Sequence, residues 1–324
     1  MTDLVTVGET MAVLRAPHTG RLRDSASLWL SIAGSESNTA IGLTRLGSTA
    51  AWIGRVGGDE FGQLILARLR AEGVDASGCV VDAGAQTALM FRERRTQNVD
   101  RVTYYRRGHA GSRLTVADLD ESLIAAARVV HVTGITLGLS DSAREAAFAA
   151  AEIARTAGVL VSFDVNYRSA LWAASDAAGP LRAMAERADV VFAGESELGL
   201  IEPGDTLAAA RRLAGEGART VVVRRGAAGA FSVDGGTVFQ QPARPVTAVD
   251  PVGAGDAFNA GYLCALLDGV SEQARLALGG AVGAHAVTIA GDWEGLPTRD
   301  DLALADLEDG TALRLDPTCT LRCG

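Results

Sequence analysis

The stretch SDSAREAAFAAAEIARTAGVLVSFDVN, residues 140–166, carries the pattern on which the fold turns. Ala143, Ala146, Ala147, Ala150, Ile153, Ala154 and Ala157 recur on one helix face, with Ser140 or Asp141 placed to cap the start and Gly158 to stop the end. A β-branched apolar run follows at 159–163 and gives way to Asp164-Val165-Asn166. Outward from there, similar runs stand at 4–7, 129–132, 190–192 and 220–223, with helical patterns between them. Buried strands alternating with helices predict an α/β fold, a mostly parallel sheet covered on both faces. Such sheets bind ligands beyond the carboxyl ends of their strands. Those ends carry Gly8-Glu9, Thr133-Gly134, Asp164-Val165-Asn166, Gly194-Glu195 and Arg224-Arg225-Gly226.

Residues 80–107 depart from the alternation. The segments 87–93 and 101–106 read as two strands of a hairpin joined through 96–100, and 11–16 with 27–33 supply two more. A small antiparallel sheet inserted there would be either a lid over the strand ends or an ordinary surface hairpin. Its apolar positions Leu89, Phe91 and Val102 would leave an exposed patch or edge, so the lid is also expected to pair two subunits.

With 324 residues, 48% apolar and 21% charged, the chain can bury a sizeable core and is not intrinsically disordered. A formal charge of −9 argues against a broad nucleic-acid surface. All 30 basic residues are arginine, so no Walker-A, kinase-strand or Schiff-base lysine exists. The start has no basic region followed by an apolar one, and the 276–291 stretch reads as a buried helix, not a membrane span. Cys79, Cys264, Cys319 and Cys323 lack zinc or redox spacing and fit free thiols in a reducing cytoplasm. His18, His109, His131 and His285 form no cluster, so no protein-built metal site is expected. Residues after 309 read as a mobile tail.

The sharpest local signal is Asp250-Pro-Val-Gly253-Ala254-Gly255-Asp256-Ala-Phe258. Small residues run into an amphipathic helix whose first-turn N–H groups point outward unpaired, which makes an anion site. Asp256 in that first turn fits two roles: favouring the positive helix end, or taking a proton from a hydroxyl that attacks a phosphate. Phe258 at the third glycine position excludes a dinucleotide-binding fingerprint.

DPVGAGDAFNAGY resembles the C-terminal signature of the PfkB, or ribokinase-like, carbohydrate kinases, written D-T-x-G-A-G-D. Gly34-Ser-Glu-Ser-Asn38-Thr-Ala40, followed by Leu46-Gly47 and Gly57-Gly58-Asp59-Glu60-Phe61-Gly62, resembles their N-terminal signature. The two stand about 200 residues apart in the expected order, and the similarity runs from Leu4 to about Asp301. Within the family, Tyr104-Tyr105-Arg106-Arg107-Gly108, Phe163-Asp164-Val165-Asn166-Tyr167-Arg168 with Leu171-Trp172, and Gly291-Asp292-Trp293-Glu294-Gly295 look most like 2-keto-3-deoxygluconate kinases.

The resemblance implies one ribokinase-like domain over 1–309: a three-layer α/β/α body plus a β-sheet lid. It implies ATP and Mg²⁺, leaves a monovalent cation such as K⁺ open, and points to a homo-oligomer. By position, Asp256 would be the general base and the amides of Gly253, Ala254 and Gly255 the anion hole. Gly34, Asn38, Met90, Tyr104, Arg106, Asn166 and Arg168 would surround the sugar. Gly194, Glu197, Arg224, Gly226 and Gly229, with the glycine loop, would serve the nucleotide. Three positions depart from the pattern. Gly194 replaces the asparagine of N-x-x-E, Arg224 stands where many relatives have lysine, and Met90 stands where some of these kinases have tyrosine. Arg106 and Arg168 could converge on a sugar acid's carboxylate through their planar forks. Only one of the neighbours Tyr104 and Tyr105 can face the sugar, and Trp172 fits core packing. The alternatives are a kinase of a neutral sugar or nucleoside, and a non-catalytic sugar- or nucleotide-binding regulator.

Overall fold

A computed structural model describes residues 2–96 and 99–304; the expected tail and the Cys319/Cys323 pair lie outside the described residues. In chain order the strands are β1 (Leu4–Val7), β2 (Met11–Arg15), β3 (Trp29–Ala33), β4 (Ala50–Gly57), β5 (Cys79–Asp82), β6 (Leu89–Thr96), β7 (Val99–Tyr105), β8 (Val129–Thr133), β9 (Leu160–Asp164), β10 (Val190–Gly194), β11 (Thr220–Arg224), β12 (Ala230–Asp234) and β13 (Thr237–Gln241). Nine of them form one sheet in the order β13-β12-β11-β10-β9-β8-β1-β4-β5. All neighbours are parallel from β11 to β5, and β12 and β13 add an antiparallel edge.

Alternation of side chains along each strand splits the core in two. Val161, Phe163, Val191 and Ala193 pack beneath the helices Asp141–Thr156, Ala174–Ala185 and Thr206–Glu216. Trp52, Val190, Phe192 and Val222 pack on the other face beneath Ser35–Arg45, Glu60–Ala71, Ala254–Leu267 and Glu272–Ala286. The result is a three-layer α/β/α body. Ser140, not Asp141, caps the Asp141–Thr156 helix by accepting from the Ala143 N–H at 3.1 Å, and Gly158 follows it at φ +74°. The helix expected over 276–291 runs from Glu272 to Ala286. Just past its end, the Val287 carbonyl accepts the Val249 and Asp250 N–H groups.

Strands β3-β2-β6-β7 form a second, four-stranded sheet. The β2–β3 and β6–β7 hairpins are antiparallel, and they join through a parallel β2–β6 pair. The register sets Met90 beside Tyr104 and Arg92 beside Val102 on the face turned to the body, and Leu89, Phe91 and Tyr105 on the outer face. Val102 therefore lines the cleft instead of joining the outer patch expected of it, because its parity along β7 is that of Tyr104. The body sheet reverses its direction of growth between β1 and β8, and the cleft opens above that point.

Candidate active site

Between the strand ends and the lid lies a cleft of about 800 Å³. Its floor is the start of the Ala254–Leu267 helix. Gly253 precedes that helix at φ +75°, and a Cβ there would sit 2.0 Å from the Asp292 carbonyl oxygen, so the position admits only glycine. The N–H groups of the first turn have no acceptor inside the helix. That of Ala254 makes a long 3.4 Å contact with the Pro251 carbonyl, and Ala254 does not line the cleft, whereas Gly253 and Gly255 do.

Asp256 lies one residue further on, 8% exposed. Its two oxygens accept from Ser35 Oγ at 2.6 Å and Asn38 Nδ2 at 2.9 Å. Both partners belong to the Ser35–Arg45 helix, whose N-cap, Gly34, lies so close to the β1–β2 connection that a Cβ would be 2.3 Å from the Glu9 carbonyl oxygen. Ser35 Oγ also accepts from Asn166 Nδ2 at 2.8 Å. Asn166 is held at φ +34°, unusual for a residue with a side chain and characteristic of functional loops. Burial pushes the Asp256 carboxyl up to about 6; the two hydrogen bonds oppose the shift, and the nearby Asp164 charge adds to it. A carboxylate tuned there is still ionised at neutral pH and is a stronger base than an exposed aspartate.

Arg224 supports the glycine loop from below. Its guanidinium donates to both Asp164 oxygens, at 2.9 and 2.7 Å, and to Asn259 Oδ1 at 3.0 Å. A Cβ on Gly255 would touch Arg224 Nη1 at 2.8 Å. Arg224 lines the cleft, with Nη1 and Nη2 both engaged within the protein. Glu197 accepts the Gly194 N–H at 2.6 Å and the Tyr167 N–H at 3.1 Å, so both of its oxygens are engaged by backbone. Burial, then the Asp164 charge, pushes its carboxyl up, with Arg224 opposing.

On the lid, Met90 is buried with Met11, Val13, Ala33 and Ala88, and Tyr104 stands beside it. Tyr105 is on the far face, edge-on to Phe91 at 5.6 Å. Arg106 forms a 2.5 Å ion pair with the buried Glu9, whereas Arg168 reaches the cleft with no hydrogen bond or ion pair among the described residues. The two arginines thus differ: one is paired with a buried carboxylate, while the other faces Glu197 and Asp256 only through longer-range attraction. Trp172 packs against the core at Gly138, outside the cleft.

The structure brings Gly34, Asn38, Met90, Tyr104, Arg106, Asn166, Arg168, Glu197, Arg224, Gly253, Gly255 and Asp256 to one cleft. Gly194, Gly226 and Gly229 do not line it. Gly194 caps the Glu195–Ile201 helix, and the other two shape the β11–β12 turn at φ +55° and +88°. Sequence reasoning had quoted Glu9, Ser35, Asp164 and Asp292 without giving them roles, and it missed Arg92. It also passed over Glu36, fully buried, which accepts from Thr133 Oγ1 at 2.8 Å and Thr136 Oγ1 at 2.6 Å and which burial pushes up to about 7. Glu9 and Asp164 at strand ends, and Ser35 and Glu36 inside GSESN, carry the available signals; Arg92 carries none.

Residues 1–299 match the profile of the pfkB family carbohydrate kinases. The chain belongs to this family. Among curated relatives, a 2-dehydro-3-deoxygluconokinase of Thermoproteus tenax is 40% identical, covering 92% of each chain. One of Bacillus subtilis is 36% identical, covering 93% of this chain and 94% of the relative. An E. coli structure provisionally named ribokinase II, in complex with ATP and Mg²⁺, aligns with a TM-score of 0.87 at 26% identity, over 94% of this chain and 98% of that one. This pfkB kinase is an ATP-dependent sugar kinase, which sets aside the non-catalytic alternative. No helix among the described residues is long and apolar enough to cross a membrane.

Proposed function

We propose that this kinase phosphorylates a hydroxyl of 2-keto-3-deoxygluconate or a close sugar acid, with Asp256 as its general base. The observation that carries the reading is the buried carboxylate, poised at about 6 and aimed by Ser35 and Asn38, directly after the glycine loop. The substrate hydroxyl gives its proton to Asp256 as its oxygen bonds to the γ-phosphorus, and ADP leaves with the bridging oxygen. The Gly253 and Gly255 amides face the charge on the migrating group, and the helix dipole adds to them. Among the described residues no three metal-ligating side chains come together. The glycine cradle suits a phosphate, while Glu197, whose oxygens each accept a backbone N–H, would meet Mg²⁺ through water. ATP consumption fits a cytoplasmic setting.

The names of the relatives support a sugar acid, and so does an unpaired arginine in the cleft. Arg168 is the group we assign to the substrate carboxylate. Arg106, balanced by Glu9, holds Tyr104 instead, with its guanidinium 5.4 Å from the ring. Arg168→Ala is expected to lower kcat/KM on 2-keto-3-deoxygluconate ten- to a hundredfold, the scale of one charge-assisted contact worth ~1.5–3 kcal/mol, and to change turnover of fructose little. Equal losses on both substrates would remove Arg168 from carboxylate recognition. The second reading, a neutral sugar, is favoured by Met90, whose thioether in an apolar cluster offers no hydroxyl. Higher wild-type kcat/KM on fructose would select it.

The outer lid face presents Leu30 and Tyr105, 47% and 55% exposed, beside Leu14 and Phe91. We assign this face to a second copy of the chain. Sedimentation at micromolar concentration should give a dimer that Tyr105→Arg dissociates; a wild-type monomer would overturn the assignment.

A further inference from the structure

The guanidinium of Arg92 joins the lid to the phosphate-binding end of the molecule. Arg92 projects from β6 on the same face as Met90, and its side chain is 4% exposed. One nitrogen, Nη2, lies 2.6 Å from Asp100 Oδ2 on the neighbouring lid strand and 2.6 Å from Asp250 Oδ1 in the body. Nη1 is buried without a hydrogen-bond partner, 4.0 Å from Asp292.

Asp250 is more than an anchor. Its Oδ1 also accepts the Val252 N–H at 3.2 Å, and its Oδ2 accepts the Gly291 N–H at 3.1 Å. One carboxylate therefore ties the entry of the glycine loop to the 291–292 segment, whose Asp292 carbonyl abuts Gly253. The path from the lid to the anion loop has few links: Met90 on the strand that would meet the sugar, Arg92 two residues on, Asp250, then the Val252 and Gly253 backbone. A second lid arginine, Arg94, reaches the Val249 carbonyl at 3.4 Å and follows the same line.

We propose that Arg92 is a positioning residue: through Asp250 it couples the seating of the lid on the sugar to the shape of the glycine loop that receives the phosphoryl group. With the lid seated, the guanidinium compensates the buried Asp250 charge. With the lid displaced, that carboxylate loses its cation and the loop loses the tie at its entry. Sugar binding and nucleotide binding then favour the same arrangement, and each ligand tightens the other. The inference rests on the reading of Gly253–Gly255 as the phosphoryl site. Asp256→Asn tests that reading separately, because it changes the chemistry without touching this tie.

The test is a linkage measurement by calorimetry. The β,γ-imido analogue of ATP, with Mg²⁺, is titrated into the full chain without sugar and with saturating 2-keto-3-deoxygluconate, or with fructose if the wild type turns that over faster. The wild type is expected to bind the analogue at least fivefold more tightly when the sugar is present, within the usual range of coupling between sites. In Arg92→Met the factor should fall to near one, while the affinity for sugar alone changes less than about threefold. Because Arg92→Met leaves Asp250 unpaired, Arg92→Met/Asp250→Asn serves as the folded control and should show the same loss of coupling. Coupling retained in the double variant, or absent from the wild type, would overturn the proposal. So would a tenfold loss of affinity for the sugar alone, since Arg92 would then shape the sugar pocket instead of linking two sites.

Discussion

Asp256→Asn is expected to lower kcat by about a hundredfold or more while leaving the fold and nucleotide affinity intact. The asparagine is isosteric, and Ser35 can turn its hydroxyl to accept where it now donates. What disappears is the ability to take a proton. In the wild type, with Asp256 poised at about 6, kcat/KM should fall about tenfold per pH unit below that point and level off above it, because only the ionised carboxylate is a base. Ser35→Ala removes a hydrogen bond that holds the ionised form, so the inflection should move to higher pH. A variant Asp256→Asn with near-normal kcat would strike Asp256 from the mechanism. An inflection that stays in place in Ser35→Ala would mean that another group titrates.

Arg224→Met is expected to be the most destabilising single change in the cleft. Asp164 is fully buried at the end of β9, and both of its oxygens are held by that guanidinium, with Asn259 Nδ2 adding a bond at 2.8 Å. Breaking a buried pair by removing one partner costs about 3–5 kcal/mol, because the remaining charge has nowhere to go. For a chain of this size that is a fall in Tm of roughly 4–7 °C. Arg224→Met/Asp164→Asn should recover much of the loss, since it leaves no uncompensated carboxylate. A drop of less than about 3 °C in the single variant would show that solvent or a neighbour reaches Asp164. Arg224→Lys should fall between, since an ammonium cannot reproduce the two-pronged contact.

The parallel strands were legible because a strand buried on both faces is a continuous apolar run, and 4–7, 159–163 and 220–223 are such runs. Gly253 and Asp256 were legible because the glycines, the helix start and the acid stand within four residues. The lid hairpins were legible at their strands but not in full at their faces: Val102 was assigned to the outer patch because parity depends on a register that no single strand reveals. Pairing across distance was the least accessible. Arg92 and Asp250 stand 158 residues apart, and nothing local marks Arg92 among thirty arginines. Likewise Glu9 was visible as a strand end, but only the fold brings it to Arg106 and leaves Arg168 in the cleft without a hydrogen bond or ion pair among the described residues. Gly226 and Gly229 enter as nucleotide-loop residues through the family resemblance alone; both take positive φ in the β11–β12 turn, where glycine is favoured.

The hydrogen bond from Ser35 to Asp256 spans 221 residues, and it gives the order of synthesis a chemical meaning. As the chain leaves the ribosome, β1, the lid and the Ser35–Arg45 helix exist long before the Ala254–Leu267 helix. Until that late helix docks, the side of the sheet carrying Trp52 and Phe192 lacks much of its cover. So long a closure slows folding and leaves apolar surface exposed for a time. Yet the Gly253–Gly255 loop and Asp256 arrive together in the last quarter of the chain. If Asp256 is the base we propose, a nascent or truncated product that already holds Ser35 and Asn38 has no group able to activate a hydroxyl. On that reading, incomplete chains are catalytically silent.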